Sequence, residues 1–510
     1  MSSGIDDTAD VIQVRRRWTL PAVLCVIAIV LSLLKAIAIL AGGPSPIVMD
    51  AGQYWELGGS AATGDVFLLQ HEIVYRTPIY PWFVAMHRWL PASLFCLLFS
   101  QGMLWVGTIA ITSLMAGRVL PSFARRSRVS WATLAVWLLS LPMISALLYT
   151  VTTLSETLFV FLLLLHLFCV QCYFDKPTRS TAVLAGLSYA VLLLTRPIAI
   201  LMWLVTLVVS IRWWRLRRGM DVPIPFRRFC WHVMIAIACC VLPLSIWYAR
   251  NAMVFGSPML TQFTGRNLWV VTFQGNSGAG LDWPSGTFAS DALLDALGTD
   301  QDAKQHFGDG YRHTWTVSNA LADHGVPDPK IDRLMRSVAT TAIYRDSVSM
   351  RAWATKAMRR NINFWRTRNT DPPVRAWQLS AARGPAQPDV FAGQAVWRYP
   401  IAPVESLVRW RLSNWLMGNN LLLLATIAAL VSLFVHRSTR NHAIWMAGVL
   451  AYFGIVTGTL EIPAYRYRMV VEPIVLLVIA LAIVQCLSQY CCNVPSHLRS
   501  PSHHDRRQRI

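Results

Sequence analysis

Apolar runs of about 20 residues recur along this chain, each long enough to cross a hydrocarbon core of roughly 30 Å as an α-helix. The runs are continuous rather than alternating, which excludes a β-barrel, whose lipid-facing residues fall at every second position. Only 14% of the 510 residues are charged and 55% are hydrophobic, against roughly 25% charged in an average soluble domain. Lipid is therefore the main solvent, and the sequence predicts an all-α polytopic membrane protein of about ten transmembrane helices. The expected spans are 19–41, 93–116, 129–149, 157–174, 180–195, 197–212, 230–249, 415–435, 443–460 and 469–489.

Basic residues orient these spans. Arg15 to Arg17, Arg118 to Arg128, Lys176 with Arg179, Arg212 to Arg228, Arg437 with Arg440, and Arg506 with Arg507 share one side, which the positive-inside rule makes cytoplasmic. Both termini lie there. The chain then divides into a cytoplasmic segment 1–18, a transmembrane core 19–250 containing a first extracytoplasmic loop 42–92, an extracytoplasmic loop domain 251–414 between spans seven and eight, C-terminal spans within 415–490 and a cytoplasmic tail 491–510. The apolar run after the leader MSSGIDDTAD is too long for the core of a cleaved signal, so the first span is expected to be retained. The formal charge of +20 sits mostly beside the spans, where it sets orientation, and no nucleic-acid partner is expected.

The ten cysteines fall in predicted spans or on their cytoplasmic side, so disulfides are not expected, and Cys169 with Cys172 reads as a buried thiol pair. Absence of any N-x-S/T acceptor site suits a bacterial inner membrane. In the larger loop, 330–366 has helical spacing with Arg351, Lys356, Arg359 and Arg360, the pattern of a helix lying at a membrane interface. Its continuation 371–400 reads as irregular loop, and the D-x-D of Asp300 and Asp302 reads as structural.

The side chains that carry chemistry lie on the outer side. PSPIVMDAGQYWELGGSAATGD sets Asp50 a few residues past the first span, within reach of a lipid-borne group. With 50–60 helical, Tyr54 shares its face and packs beside the carboxylate and a sugar; the competing reading makes Asp50 simply a helix N-cap. YRTPIYPWF closes the loop with Pro78 and Pro81 as stiffeners and Arg76 as a planar fork suited to phosphate, although Trp, Tyr and Arg also serve as interfacial anchors at that depth. LTRP puts Arg196 at one outer helix end, WYARN puts Arg250 at another, and YRYR puts Arg466 and Arg468 at a third. Each arginine singly reads as a snorkelling residue, but together they oppose the positive-inside bias, and an anionic ligand explains them better. Glu156, in TLSET, is a second acid or a counter-ion to one of them.

In this order and on this side, the residues resemble the polytopic membrane glycosyltransferases of the GT-C superfamily, of the protein-mannosyltransferase and aminoarabinose-transferase type, family 39. The resemblance runs discontinuously over 1–270 and 440–475. It consists of Asp50 with Tyr54, the segment Arg76, Pro78, Tyr80, Pro81, the pair Ser155 and Glu156, L-T-R-P ending at Pro197, and a run of Trp247, Arg250, Asn251, Phe255, Gly256 and Pro258. It implies a transferase that uses a polyprenyl-phosphate-linked sugar with Asp50 as catalytic base. The chain departs from many family members in placing its large soluble portion between spans seven and eight, so the acceptor stays open as lipid, glycan or protein.

Such a transfer needs a base for the acceptor hydroxyl and positive donors for the leaving phosphate. Asp50 fits the first role. Arg76, Arg196, Arg250, Arg466 and Arg468 fit the second, with Tyr54, Tyr80 and Glu156 as accessory residues. One carboxylate without an enzyme nucleophile favours inversion. No Gly-rich phosphate loop is present, no cofactor is expected, and a divalent ion between Asp50 and Glu156 is not favoured. The alternative class is a transporter or flippase of an anionic lipid or glycolipid, but transporters place ionisable groups near the midplane, where the only candidates are Lys35, near enough to the outer end to snorkel, and His166. A third class is a non-catalytic receptor or assembly factor. The sugar and the oligomeric state stay open.

Overall fold

A computed structural model describes residues 20–493 apart from 48–49, 72–74, 121–129, 144–145, 218–223, 276–277, 285–290, 292, 294, 296–299, 308–311 and 368–419. The described residues are helical and contain no strand. The leader, the tail beyond 493, the stretch 371–400 and the start of the eighth expected span lie outside them.

The helices follow the apolar runs: α1 (Leu20–Ala41), α2 (Asp50–Ala62), α3 (Ile79–Arg88), α4 (Ser93–Val119), α5 (Trp131–Ser140), α6 (Glu156–Asp175), α7 (Arg179–Leu193), α8 (Met202–Arg217) and α9 (Phe226–Phe255). Then come α10 (Thr264–Phe273), α11 (Asp300–Phe307, opened by the D-x-D pair), α12 (Thr314–Asp323), α13 (Asp328–Tyr344), α14 (Ser347–Arg366), α15 (Asn420–Val435), α16 (Arg440–Leu460), α17 (Tyr465–Arg468) and α18 (Glu472–Asn493). Among the described residues seven apolar helical segments are long enough to cross a membrane, and shorter apolar helices occupy the positions of the third, fifth and eighth expected spans.

Several boundaries differ from the expectation. The third span is not one helix over 129–149: α5 stops at Ser140, just before Leu141 and Pro142, and a 3₁₀ turn follows at Leu147–Val151. Leu141 keeps helical dihedrals (φ −59°, ψ −43°), and the run ends because Pro142 has no N–H to give the next helical hydrogen bond. The carbonyls of Ser140 and Leu141 at that end accept hydrogen bonds from Lys35 Nζ at 3.0 and 2.9 Å, so Lys35 turns inward instead of snorkelling. His166 is a bonded interior residue, 3.1 Å from Ser188 Oγ. At the seventh expected span, α9 runs to Phe255, past the expected edge of the core at 250, and Gly256 ends it in a left-handed conformation (φ 67°) that glycine adopts without penalty. The expected 330–366 helix is two, α13 and α14, because Asp346 leaves the helical conformation and its carboxylate accepts from Ser349 N at 2.7 Å to cap the second.

The centre of the bundle is formed by α6 and by the segment from Tyr465 to Tyr490. In each, 78% of the apolar window is buried, against 11% for α9 at the rim. Backbone-to-backbone contact holds that rim helix: a Cβ added at Gly186 of α7 would run into the Ala236 carbonyl of α9. At one end of the bundle α10, α12 and α13 close a second core of Trp269, Phe273, Leu321, Met335 and Val338. That unit is fixed to the bundle through α14, whose Arg360 Nε donates to Gly458 O of α16 at 2.8 Å and whose Trp365 carbonyl accepts from Arg468 at 3.2 Å.

Candidate active site

The segment after α1 re-enters the same end of the bundle. Asp50 stands in the first turn of α2, where a carboxylate is favoured by the helix dipole. Gly58 lets α2 lie against α3, since a Cβ there would strike the Val84 side chain. Arg76 precedes α3, in a stretch pinned by two bonds to the L-T-R-P turn: Thr77 Oγ1 donates to Thr195 O at 2.9 Å and Ile79 N to Leu194 O at 3.1 Å. Irregular backbone after α5 forms the floor, clamped by the Gln101 side chain, which donates to Thr150 O and Thr152 O at 3.0 and 2.8 Å and accepts from Tyr80 OH at 3.0 Å.

Both oxygens of Asp50 are paired, by arginines from opposite ends of the sequence. Arg76 Nη2 lies 2.6 Å from Oδ1 and Arg466 Nη1 lies 3.1 Å from Oδ2. Asp50 and Arg466 keep 34% and 32% of their side-chain surface exposed, so the pair is open to a ligand. Gln53 Oε1 steadies Arg76 at 2.7 Å, and the guanidinium lies 4.6 Å from the centroid of the Tyr54 ring, whose hydroxyl is 3.1 Å from Ser155 Oγ. Tyr54 and Tyr80 meet edge to face at 4.8 Å.

A second pair adjoins the first. Arg196 Nη1 lies 3.0 Å from Glu156 Oε1, while Glu156 Oε2 is buried with no hydrogen-bond partner among the described residues. Tyr467 links the pairs: its hydroxyl accepts from Arg466 Nη2 at 2.8 Å and its ring centroid lies 5.8 Å from the Arg196 guanidinium. Glu461 completes the cluster, facing Arg466, Arg196 and Asp50.

Burial pushes the Asp50 carboxyl up, but Arg76 and Arg466 outweigh it and hold the group below the ordinary carboxylate range. At Glu461 burial wins over Arg466 and Arg196, and its carboxyl is raised. Three guanidinium groups, of Arg76, Arg196 and Arg466, thus face three carboxyls, of Asp50, Glu156 and Glu461.

Of the residues singled out in the sequence, Asp50, Tyr54, Arg76, Tyr80, Glu156, Arg196 and Arg466 come together. Arg250 and Arg468 do not. Arg250 Nε donates to Phe67 O at 3.0 Å, Nη2 donates to His71 O at 3.1 Å and also to Leu68 O, and the group sits between the Trp247 and Phe255 rings. It shapes the first loop. Arg468 is buried against Glu472 at 3.0 Å, where Tyr465 OH also donates at 2.9 Å, inside the bundle and turned from Asp50. Gln53 and Tyr467 were given no role in the sequence, and Glu461 entered only as the start of the turn 461–468 expected to converge with those near Ser155 and Arg196; no spacing rule sets Gln53 on Arg76 or aims Tyr467 and Glu461 into the cluster. Among the described residues no three His, Cys, Asp or Glu side chains converge as a metal site. No protein-family model matches the chain, and no curated protein matches it.

Proposed function

We propose that the chain is a membrane glycosyltransferase that moves a sugar from a polyprenyl-phosphate donor to an acceptor hydroxyl on the extracytoplasmic face. The observation that carries this reading is the double grip on Asp50 by Arg76 and Arg466, at the end of a bundle of apolar helices. The GT-C-like motifs in the sequence support it.

In this reading Asp50 takes the proton from the acceptor O–H, the freed oxygen bonds to the anomeric carbon on the face opposite the phosphate, and the C–O bond to phosphate breaks with inversion. The electron pair leaves on the phosphate, whose added negative charge Arg76, Arg466 and Arg196 stabilise. A carboxylate held low by two guanidinium groups is a poor base, and the donor resolves this. Its phosphate competes for Arg76 and Arg466, and as they turn to it the restraint on Asp50 is relieved. The base thus gains strength when the donor is seated.

Sugar transfer from a radiolabelled polyprenyl-phosphate donor pool, in membranes carrying the native chain or Asp50→Asn at matched expression, tests the reading. Transfer by the native chain and none by the variant is the expected result. Equal transfer by both removes Asp50 as base, and a native chain inactive across all donors turns the reading toward an anionic-lipid transporter.

A further inference from the structure

Three part-exposed rings meet where the first loop touches the unit of α10, α12 and α13. Tyr75 lies 5.1 Å from Phe263 and 5.7 Å from Trp315, and Phe263 lies 6.0 Å from Trp315, between ring centroids. Their planes are tilted by 42°, 57° and 39°, so no face fully covers another. The buried Arg266 guanidinium lies 5.6 and 5.9 Å from the centroids of Tyr75 and Trp315. Its Nε and Nη2 donate to Ser318 Oγ at 3.1 and 3.0 Å, and Nη2 also pairs with Asp328.

Arg266 Nη1, a donor in this corner, is buried without a hydrogen-bond partner among the described residues, and so is the acceptor Oε1 of Gln262, the chain neighbour of Phe263. Roughly nine in ten buried polar atoms in folded proteins have a partner, so an open donor beside the rings, with an open acceptor on the residue next to Phe263, points to something that both donates and accepts. A hydroxyl does both. A sugar ring carries several, and its C–H face packs on aromatic rings. The corner is wired to the charged cluster, since Tyr75 OH accepts from Gln53 Nε2 at 2.8 Å and Gln53 Oε1 accepts from Arg76 at 2.7 Å.

We propose that Tyr75, Phe263, Trp315, Gln262 and Arg266 form a carbohydrate subsite that seats a sugar ring of one substrate beside Asp50. The subsite deepens the transferase reading and rests on it for the role of the sugar, but carbohydrate binding is measurable without any transfer.

The test is saturation-transfer NMR on the full chain in detergent, with the methyl glycosides of glucose, galactose, mannose, arabinose and N-acetylglucosamine as probes. The native chain is expected to saturate at least one of them. Trp315→Ala is expected to weaken that binding about three- to tenfold, the worth of one aromatic contact, whereas Trp315→Phe retains it. The binding is read with no polyprenyl-phosphate donor present and no transfer taking place, so that either idea can fail alone. Should Trp315→Ala lose its native melting transition, Phe263→Leu removes a ring while keeping bulk and takes its place. No saturation of any probe by the native chain overturns the proposal, as does unchanged binding when a ring is removed from a folded variant.

Discussion

Replacing Arg466 by glutamine removes one of the two charges on Asp50 while leaving Arg76, 2.6 Å from the other oxygen, in place. An opposite charge within 4–6 Å lowers a carboxyl pKa by about 1–3 units. Asp50 and Arg466 are 34% and 32% exposed, so solvent screening puts the effect at the lower end, about one unit or ~1.4 kcal/mol. In the proposed mechanism Asp50 is the group that must be deprotonated. With a positive neighbour gone it holds its proton to higher pH, so the acid limb of kcat/KM moves up by about one pH unit in Arg466→Gln. Above that limb a pH-independent loss of about ten- to hundredfold remains, from one charge-assisted contact to the phosphate. The assay is transfer from a purified polyprenyl-phosphate sugar over the acid range, with native and variant melting curves recorded beside it. In the native chain the limb for kcat is expected to lie above that for kcat/KM, because the seated donor has drawn the guanidinium groups off Asp50. An acid limb that stays put in Arg466→Gln, or moves down, refutes the electrostatic argument.

Two further expectations separate the arginines outside the cluster from those inside it. Arg468→Met leaves Glu472 buried without its cation, 2% exposed, and is expected to cost about 3–5 kcal/mol in detergent melting, whereas Arg468→Met with Glu472→Leu recovers most of it; an uncharged double variant no better than the single contradicts this. Arg250→Ala is expected to speed amide exchange in 67–71, whose carbonyls it holds, while leaving the acid limb of transfer where it was; an altered limb places Arg250 in the chemistry.

The helices were legible because lipid enforces a simple rule: runs long and apolar enough to span are helical, and among the described residues seven of the ten expected spans fall on apolar helical segments long enough to cross, with shorter apolar helices at the third, fifth and eighth. The break at Ser140 was not read, since the chain stays apolar through it and only Pro142 marks it. At the site, position along the chain located Asp50, Arg76, Arg196 and Arg466 because helix ends on one side converge. It failed to separate Arg466 from Arg468. These two stand two residues apart in the single turn of YRYR, and Arg468 is turned away by its bonds to Glu472 and Trp365, which no motif records. Arg250 stands apart from the cluster for a related reason: an arginine near a helix end satisfies a neighbouring loop's carbonyls as readily as a phosphate.

The inward turn of Lys35 has a bearing on biogenesis. When α1 is made during synthesis, the two carbonyls that later receive its ammonium are more than a hundred residues further along and not yet made. Only once the end of α5 and Leu141 are in place does Lys35 gain these partners. The meeting of α1 with α5 thus ties together two segments distant in sequence, and a chain halted before Ser140 carries the ammonium without either carbonyl.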